Sequence, residues 1–174
     1  SYKHLLNYDN DIIKDLVEIL TQSSIEVCEG QAFDMEFETR NDVKIEEYIN
    51  MIRLKTGVLL SCALRLGAVT AHCSKENLEL LNEFALNIGI AFQIQDDILD
   101  CWSDVEVFGK ITGKDIIDNK KTFLYLKALE IGSQRQQNIL QELYSSKNFE
   151  PAQKEQVVKS IYEDLKIKEL AEKE

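Results

Sequence analysis

The chain has 174 residues, 44% of them hydrophobic, with one proline and seven glycines. That is enough sequence for one domain with a real core, and the scarcity of turn residues favours long helices over an all-β fold. Twenty basic residues against 31 acidic ones leave a net charge of −11, which argues against general binding to nucleic acid or to an anionic membrane but leaves room for a small anionic substrate bridged by a metal ion.

Helical periodicity runs through most of the chain. From about residue 9 to 38 a three-four rhythm places Ile12, Ile13, Leu16, Val17, Leu20, Ser24, Val27, Cys28 and Gln31 on one face. The stretch TRNDVK (39–44) breaks it, and a second helix is predicted over about 45–69. Its second half, VLLSCALRLGAV, is apolar on nearly all sides and is expected to be buried. His72-Cys73-Ser74 forms a turn in which Ser74 suits an N-cap. A third helix is predicted over about 75–101, again apolar all round after Phe84. Residues 103–120 read as a polar loop containing Gly109 and Gly113, and helices resume over about 121–131, 133–145 and 151–172, with Pro151 fitting the first turn of the last. No repeat or linker divides the chain, so the expectation is one all-α domain with two central, fully buried helices.

Cys28, Cys62, Cys73 and Cys101 show no CxxC spacing, and with only His4 and His72 no zinc constellation can be built. Each cysteine is expected to be a small buried apolar residue. The longest apolar run (57–71) carries Arg65 and is too short to span a bilayer, and no signal peptide is visible. A soluble, reducing, cytoplasmic setting fits these features.

Chemistry concentrates in FQIQDDILD (92–100), where Asp96, Asp97 and Asp100 sit in a largely apolar run. On a helix Asp96 and Asp100 are four apart and Asp97 and Asp100 three apart, with Gln93 extending the stripe. Unpaired carboxylates so close repel and raise each other's pKa, a penalty that a divalent cation removes. Oxygen-only ligation selects a hard ion, Mg²⁺ first, Ca²⁺ or Mn²⁺ behind it. The bland alternative is a solvated acidic face at a helix end. Lys110, Lys114, Lys120 and Lys121 follow within about twenty residues, either as simple ion-pair partners or as cations for an anion that bridges metal and protein. Lys55, beside Thr56 in mid-helix, either snorkels to the surface or points into a polar cavity. In EGQAFDMEFE (29–38), Gln31 and Asp34 are three apart, Phe33 and Phe37 would face inward on an ordinary amphipathic helix, and mid-helix Gly30 suggests the close approach of another backbone or a ligand.

Four segments in order, CEGQAFDMEFE, YINMIRLKTGVLL, GIAFQIQDDILD and FGKITGKDIIDNKKTFL, resemble the C-terminal half of a trans-type isoprenyl diphosphate synthase of the polyprenyl synthetase family, over about residues 25–130. DDILD looks like the family's second aspartate-rich motif. The resemblance implies the isoprenoid-synthase type of all-helical bundle, with residues 1–174 as its C-terminal part. It also implies a prenyltransferase that condenses isopentenyl diphosphate with an allylic diphosphate of farnesyl or geranylgeranyl type. Asp96, with Asp97 and Asp100 through water, would hold Mg²⁺. Lys55, Lys110 and Lys120 would contact diphosphate oxygens. Thr56 and Gln93 would lie near the allylic carbon, and Gln31 and Asp34 would line the pocket. Asp115 resembles the aspartate of the family's GxDI-like segment, although Lys114 stands where a small residue is usual. Family members usually form homodimers.

The family's first aspartate-rich motif is absent from these residues, so the chain reads as a fragment of a longer enzyme, inactive alone, from which product length cannot be read. A terpene-cyclase-like or squalene-synthase-like enzyme is an alternative, but DDILDCWSD lacks the Asn/Asp-Ser/Thr-Glu triad expected there. A non-catalytic regulatory subunit of a prenyl synthase, or a metal-free helical interaction domain, are the others.

Overall fold

The computed structural model describes residues 2–5, 7–103, 112–145 and 149–174. These residues carry helices and no strand. In chain order the helices are α1 (Tyr2–Leu5), α2 (Ile13–Thr39), α3 (Ile45–Ile52), a π-helical turn (Arg53–Gly57), α4 (Val58–Thr70), α5 (Lys75–Trp102), α6 (Lys114–Ile117), α7 (Phe123–Ile131), α8 (Gln134–Ser145), α9 (Pro151–Asp164) and α10 (Ile167–Ala171). They group into two compact units, Ser1–Asp34 with Asn50–Ala91, and Met35–Ile49 with Phe92–Glu174. Among the described residues no helix is long and apolar enough to cross a membrane.

In the first unit α2 buries Leu16, Ile19, Ser23 and Gly30, a seam one step round from the face read off the sequence; Val17, Ser24, Cys28 and Gln31 are exposed. The seam uses small side chains because the backbones come close. A β-carbon on Gly30 would lie 2.5 Å from the Lys55 nitrogen, so it is a backbone that approaches there. Ser61 on α4 donates a hydrogen bond to Asn82 Oδ1 on α5, and α5 begins where Ser74 Oγ accepts the Asn77 N–H, as the sequence predicts.

The expectation that the second half of the second helix and residues 84–95 are buried on all sides is not met. Leu59 is 62% exposed, Phe84 57% and Phe92 63%, with Leu60, Leu64, Leu80 and Ile88 also exposed. An all-round apolar helix needs a partner on every face, and among the described residues these side chains are left exposed. Exposed residues at 80, 84, 88 and 92 recur every fourth position, so α5 presents one continuous apolar stripe.

In the second unit Phe123, Leu140, Val158, Tyr162 and Ile167 are almost wholly buried. Tyr125 stacks on Tyr144 with ring centroids 3.9 Å apart. Arg40 closes the turn between α2 and α3, donating to Asp42 Oδ1 at 2.9 Å and to both Glu47 oxygens at 2.8 and 3.3 Å. Phe37 is buried as expected, whereas Phe33, in the first unit, is 38% exposed. Glu150 caps α9, accepting the Gln153 N–H, with Pro151 in the first turn. The last predicted helix is in fact two, because Lys166 takes a left-handed conformation between α9 and α10.

Cys62 and Cys101 are buried as expected, but Cys28 is exposed and Cys73 partly so. Burial also pushes the Cys101 thiol up to about 12. Iodoacetamide at pH 8 should therefore label Cys28 fastest and Cys73 more slowly, and reach Cys62 and Cys101 only in denaturant. Peptide mapping of the alkylated protein reads the order.

Candidate functional site

The candidate residues fall in two groups, one within each unit. In the first, Lys55 lies in the π turn, where an extra residue per turn interrupts the regular helix; such turns occur often at functional sites. Lys55 Nζ donates to Asp34 Oδ2 at 2.6 Å, both side chains being more than a third exposed. Lys55 is thus an ion-pair partner, half open to solvent. Thr56 is partly buried in the same turn, and Gln31 is exposed on α2 one turn before Asp34.

The second group gathers where α5 ends. Asp96 is exposed, Asp97 buried and Asp100 intermediate. The last two carboxylates serve neighbouring helix N-termini. Asp100 Oδ2 accepts the Asp115 N–H of α6 at 3.0 Å, and the Asp100 carbonyl accepts the Gly113 N–H at 2.6 Å. Asp97 Oδ2 accepts the Phe123 N–H, the first of α7, at 3.1 Å. It also accepts the hydroxyl of Tyr48 from α3 at 2.6 Å. These N–H groups have no partner inside their own helices, and a carboxylate there is favoured by the helix dipole. Gln93, one turn earlier, also hydrogen-bonds Asp97.

Between α6 and α7, Asn119 takes the left-handed conformation while the Lys120 N–H returns to the Asp115 carbonyl at 2.9 Å, a helix stop of the Schellman type. Lys120 Nζ then lies 2.6 Å from Asp115 Oδ1. The ammonium of buried Lys121 caps α2 at the Glu38 carbonyl, 3.2 Å away. Lys110, predicted to contact diphosphate, lies outside the described residues, as does Gly109.

Electrostatically the cluster is crowded with negative charge. Burial pushes Asp97 up to about 7, with the Asp115 charge adding to it, against the bonds from Tyr48, the Phe123 N–H and Gln93. Asp100 is raised chiefly by burial, then by the charges of Asp115 and Asp96, against the Asp115 N–H and Lys120. Burial and the neighbouring Asp97 charge keep the Tyr48 phenol protonated, and so a donor.

Among the described residues no three His, Cys, Asp or Glu side chains converge as a metal cage. Asp96 and Asp100 nevertheless supply only oxygens, in a cluster whose mutual repulsion a hard cation would relieve. Mg²⁺, which keeps waters and takes one or two carboxylates, suits such a partial donor set.

Lys154 supports this segment from α9. Almost fully buried, it donates to Asn119 Oδ1 and to the Ile117 carbonyl, and lies over the Tyr144 ring. Burial lowers its pKa to about 8, partly opposed by Asp118. The unfolded chain holds that proton to about pH 10.5, so between about 8 and 10.5 the unfolded state binds more protons and stability rises with pH. In urea titrations the wild type should therefore gain on Lys154→Gln between pH 8 and 10. A constant difference across that range would remove Lys154 as the titrating group.

The chain belongs to the polyprenyl synthetase family, whose sequence model matches residues 1–165. It is 42% identical over 91% of its length to a short chain isoprenyl diphosphate synthase of Methanocaldococcus jannaschii, covering 47% of that protein. It is 41% identical over 82% of its length to a geranylgeranyl diphosphate synthase of Sulfolobus acidocaldarius, covering 42% of that protein. A crystal structure of a geranylgeranyl pyrophosphate synthase superposes with a TM-score of 0.91 at 39% identity, over 98% of this chain and 53% of that one. The chain thus spans about half the length of the curated relatives it matches.

Proposed function

We propose that the chain is the diphosphate-ionising, C-terminal part of a short-chain prenyltransferase of farnesyl or geranylgeranyl type, joining isopentenyl diphosphate to an allylic diphosphate. The observation that carries this is the cluster at the end of α5, with carboxylates Asp96 and Asp100 beside the Asp115–Lys120 pair. Asp96, with Asp100 through water, would hold Mg²⁺. When bound, the ion supplies positive charge to the leaving diphosphate.

The roles proposed for the remaining residues are those the family resemblance implies. Lys120 and Lys55, each now facing a carboxylate, would turn to diphosphate oxygens and favour C–O cleavage over return. Thr56 and Gln93 would present oxygen dipoles towards the allylic cation, and Gln31 and Asp34 would line the approach. The double bond of isopentenyl diphosphate then attacks the cation, and the released pyrophosphate or a group beside it takes the proton. Apolar side chains on α4 and α5 suit exclusion of water, which would otherwise capture the cation. A cytoplasmic homodimer is the setting we propose.

The test is incubation with Mg²⁺, isopentenyl diphosphate and a panel of allylic diphosphates, with products identified by mass spectrometry. It is run on the chain alone and on the longest reading frame that contains it. Elongated prenyl diphosphates from the longer protein, with none from the chain alone, are expected. No elongation from either, with any primer, overturns the reading in favour of a non-catalytic subunit.

A further inference from the structure

We propose that Asp97 is a positioning residue rather than a metal ligand, and that Tyr48 and Asp97 form a latch fixing the Lys114–Lys120 segment against the end of α5. Consecutive residues on an α-helix point about 100° apart, so Asp96 and Asp97 cannot face the same ion in the same way. Asp96 faces solvent, whereas Asp97 is 3% exposed. Its Oδ2 is shared by the Tyr48 hydroxyl at 2.6 Å and the Phe123 N–H at 3.1 Å.

The latch joins three elements, α3 through Tyr48, α5 through Asp97 and α7 through Phe123. Phe123 follows Lys120 by three residues. Asp100 grips the other end of the same segment at Gly113 and Asp115. The two aspartates thus clamp residues 113–123 at both ends, and this is the segment that carries Asp115 and Lys120. Freeing one end would let Lys120 wander and would weaken its hold on an anion without removing any ligand of the cation. Tyr48 touches no reacting atom in this scheme; it acts through Asp97.

The binding arm of the test rests on the diphosphate reading above; the exchange arm does not. Inorganic pyrophosphate binding to the 174-residue chain is measured by calorimetry across a Mg²⁺ titration, well below the melting temperature, for wild type, Asp96→Asn, Asp97→Asn, Tyr48→Phe and the Tyr48→Phe/Asp97→Asn double variant. Amide hydrogen exchange at Phe123 is followed in each. Tyr48→Phe and Asp97→Asn are expected to raise the pyrophosphate Kd by about tenfold at saturating Mg²⁺. They should change the half-saturating Mg²⁺ concentration far less than Asp96→Asn does, because Tyr48 and Asp97 hold the Phe123 end of the segment and not Asp96. The double variant should be no worse than the worse single, because both break one device. Phe123 exchange should accelerate in all three.

A shift in Mg²⁺ requirement for Asp97→Asn matching that of Asp96→Asn, with none for Tyr48→Phe, would make Asp97 a ligand and overturn the latch. A lowered melting temperature with an unchanged pyrophosphate Kd would reduce the pair to a structural role and overturn it equally. If the wild type binds no pyrophosphate with Mg²⁺, the diphosphate reading of the chain fails. Phe123 exchange then decides the latch alone: acceleration in Tyr48→Phe supports it, and unchanged protection overturns it.

Discussion

Asp96→Ala is expected to abolish Mg²⁺-dependent pyrophosphate binding while leaving the fold intact. Asp96 is exposed on α5, and alanine is the better helix former, so the melting temperature should hold or rise slightly. Its removal also takes away one of the like charges that raise Asp100. Structure alone would therefore make the variant look harmless. The loss is functional: Asp97 is engaged by Tyr48 and the Phe123 N–H, Asp100 Oδ2 holds the Asp115 N–H, and Asp96 is the one fully exposed carboxylate of the motif. Losing an outer-shell partner of a metal typically costs 10–100-fold, and losing the principal ligand should exceed about 100-fold. Calorimetry with pyrophosphate at several Mg²⁺ concentrations, beside a circular-dichroism melt, checks both halves. Retained binding would mean that the cation is held elsewhere, and the site would have to be redrawn.

Much of the fold was legible because helix spacing and capping are local. Ser74 as a cap, α5 from Lys75, Pro151 at the start of α9 and the close approach at Gly30 all follow from residue types acting within a turn or two. The misreadings share a different cause. The sequence points to a face of α2 one step round from the buried one because the seam contains Ser23 and Gly30, which carry no apolar signal although they allow tight packing. The π turn at 53–57 leaves no mark in composition, since an extra residue per turn is set by tertiary fit. The apolar faces of α4 and α5 look buried in the sequence because it shows that a surface is apolar but not what covers it. The motif DDILD invited one role for three aspartates, and only the 100° step between neighbours separates Asp96 from Asp97. Tyr48, 49 residues from its partner, gives no sequence signal for that contact.

Gly89→Ala should destabilise the protein, against the usual rule for a helix interior. Alanine in place of glycine normally gains about 1 kcal/mol there. At Gly89 the new methyl would fall on the backbone of Gly57, overlapping its Cα and within 2.9 Å of its nitrogen. The obstacle is main chain, so no side chain can swing aside, and α4 and α5 must separate. Overpacking costs about 1–3 kcal/mol, and a backbone clash belongs at the upper end. The net loss is then about 2 kcal/mol, or a fall of about 4–8 °C in Tm for a domain of this size. Gly67→Ala is the control: a β-carbon there meets nothing within 4 Å, so the ordinary gain of about 0.5–1 kcal/mol should appear. Gly57→Ala should fall between them, its nearest neighbour being the Leu86 carbonyl oxygen at 3.1 Å. Gly57 also closes the π turn that carries Lys55 and Thr56. Forcing α5 away from it shifts the turn that holds Lys55 on Asp34. Urea midpoints for the three variants give the ranking, and Gly89→Ala as stable as Gly67→Ala would show that the two helices do not cross in backbone contact.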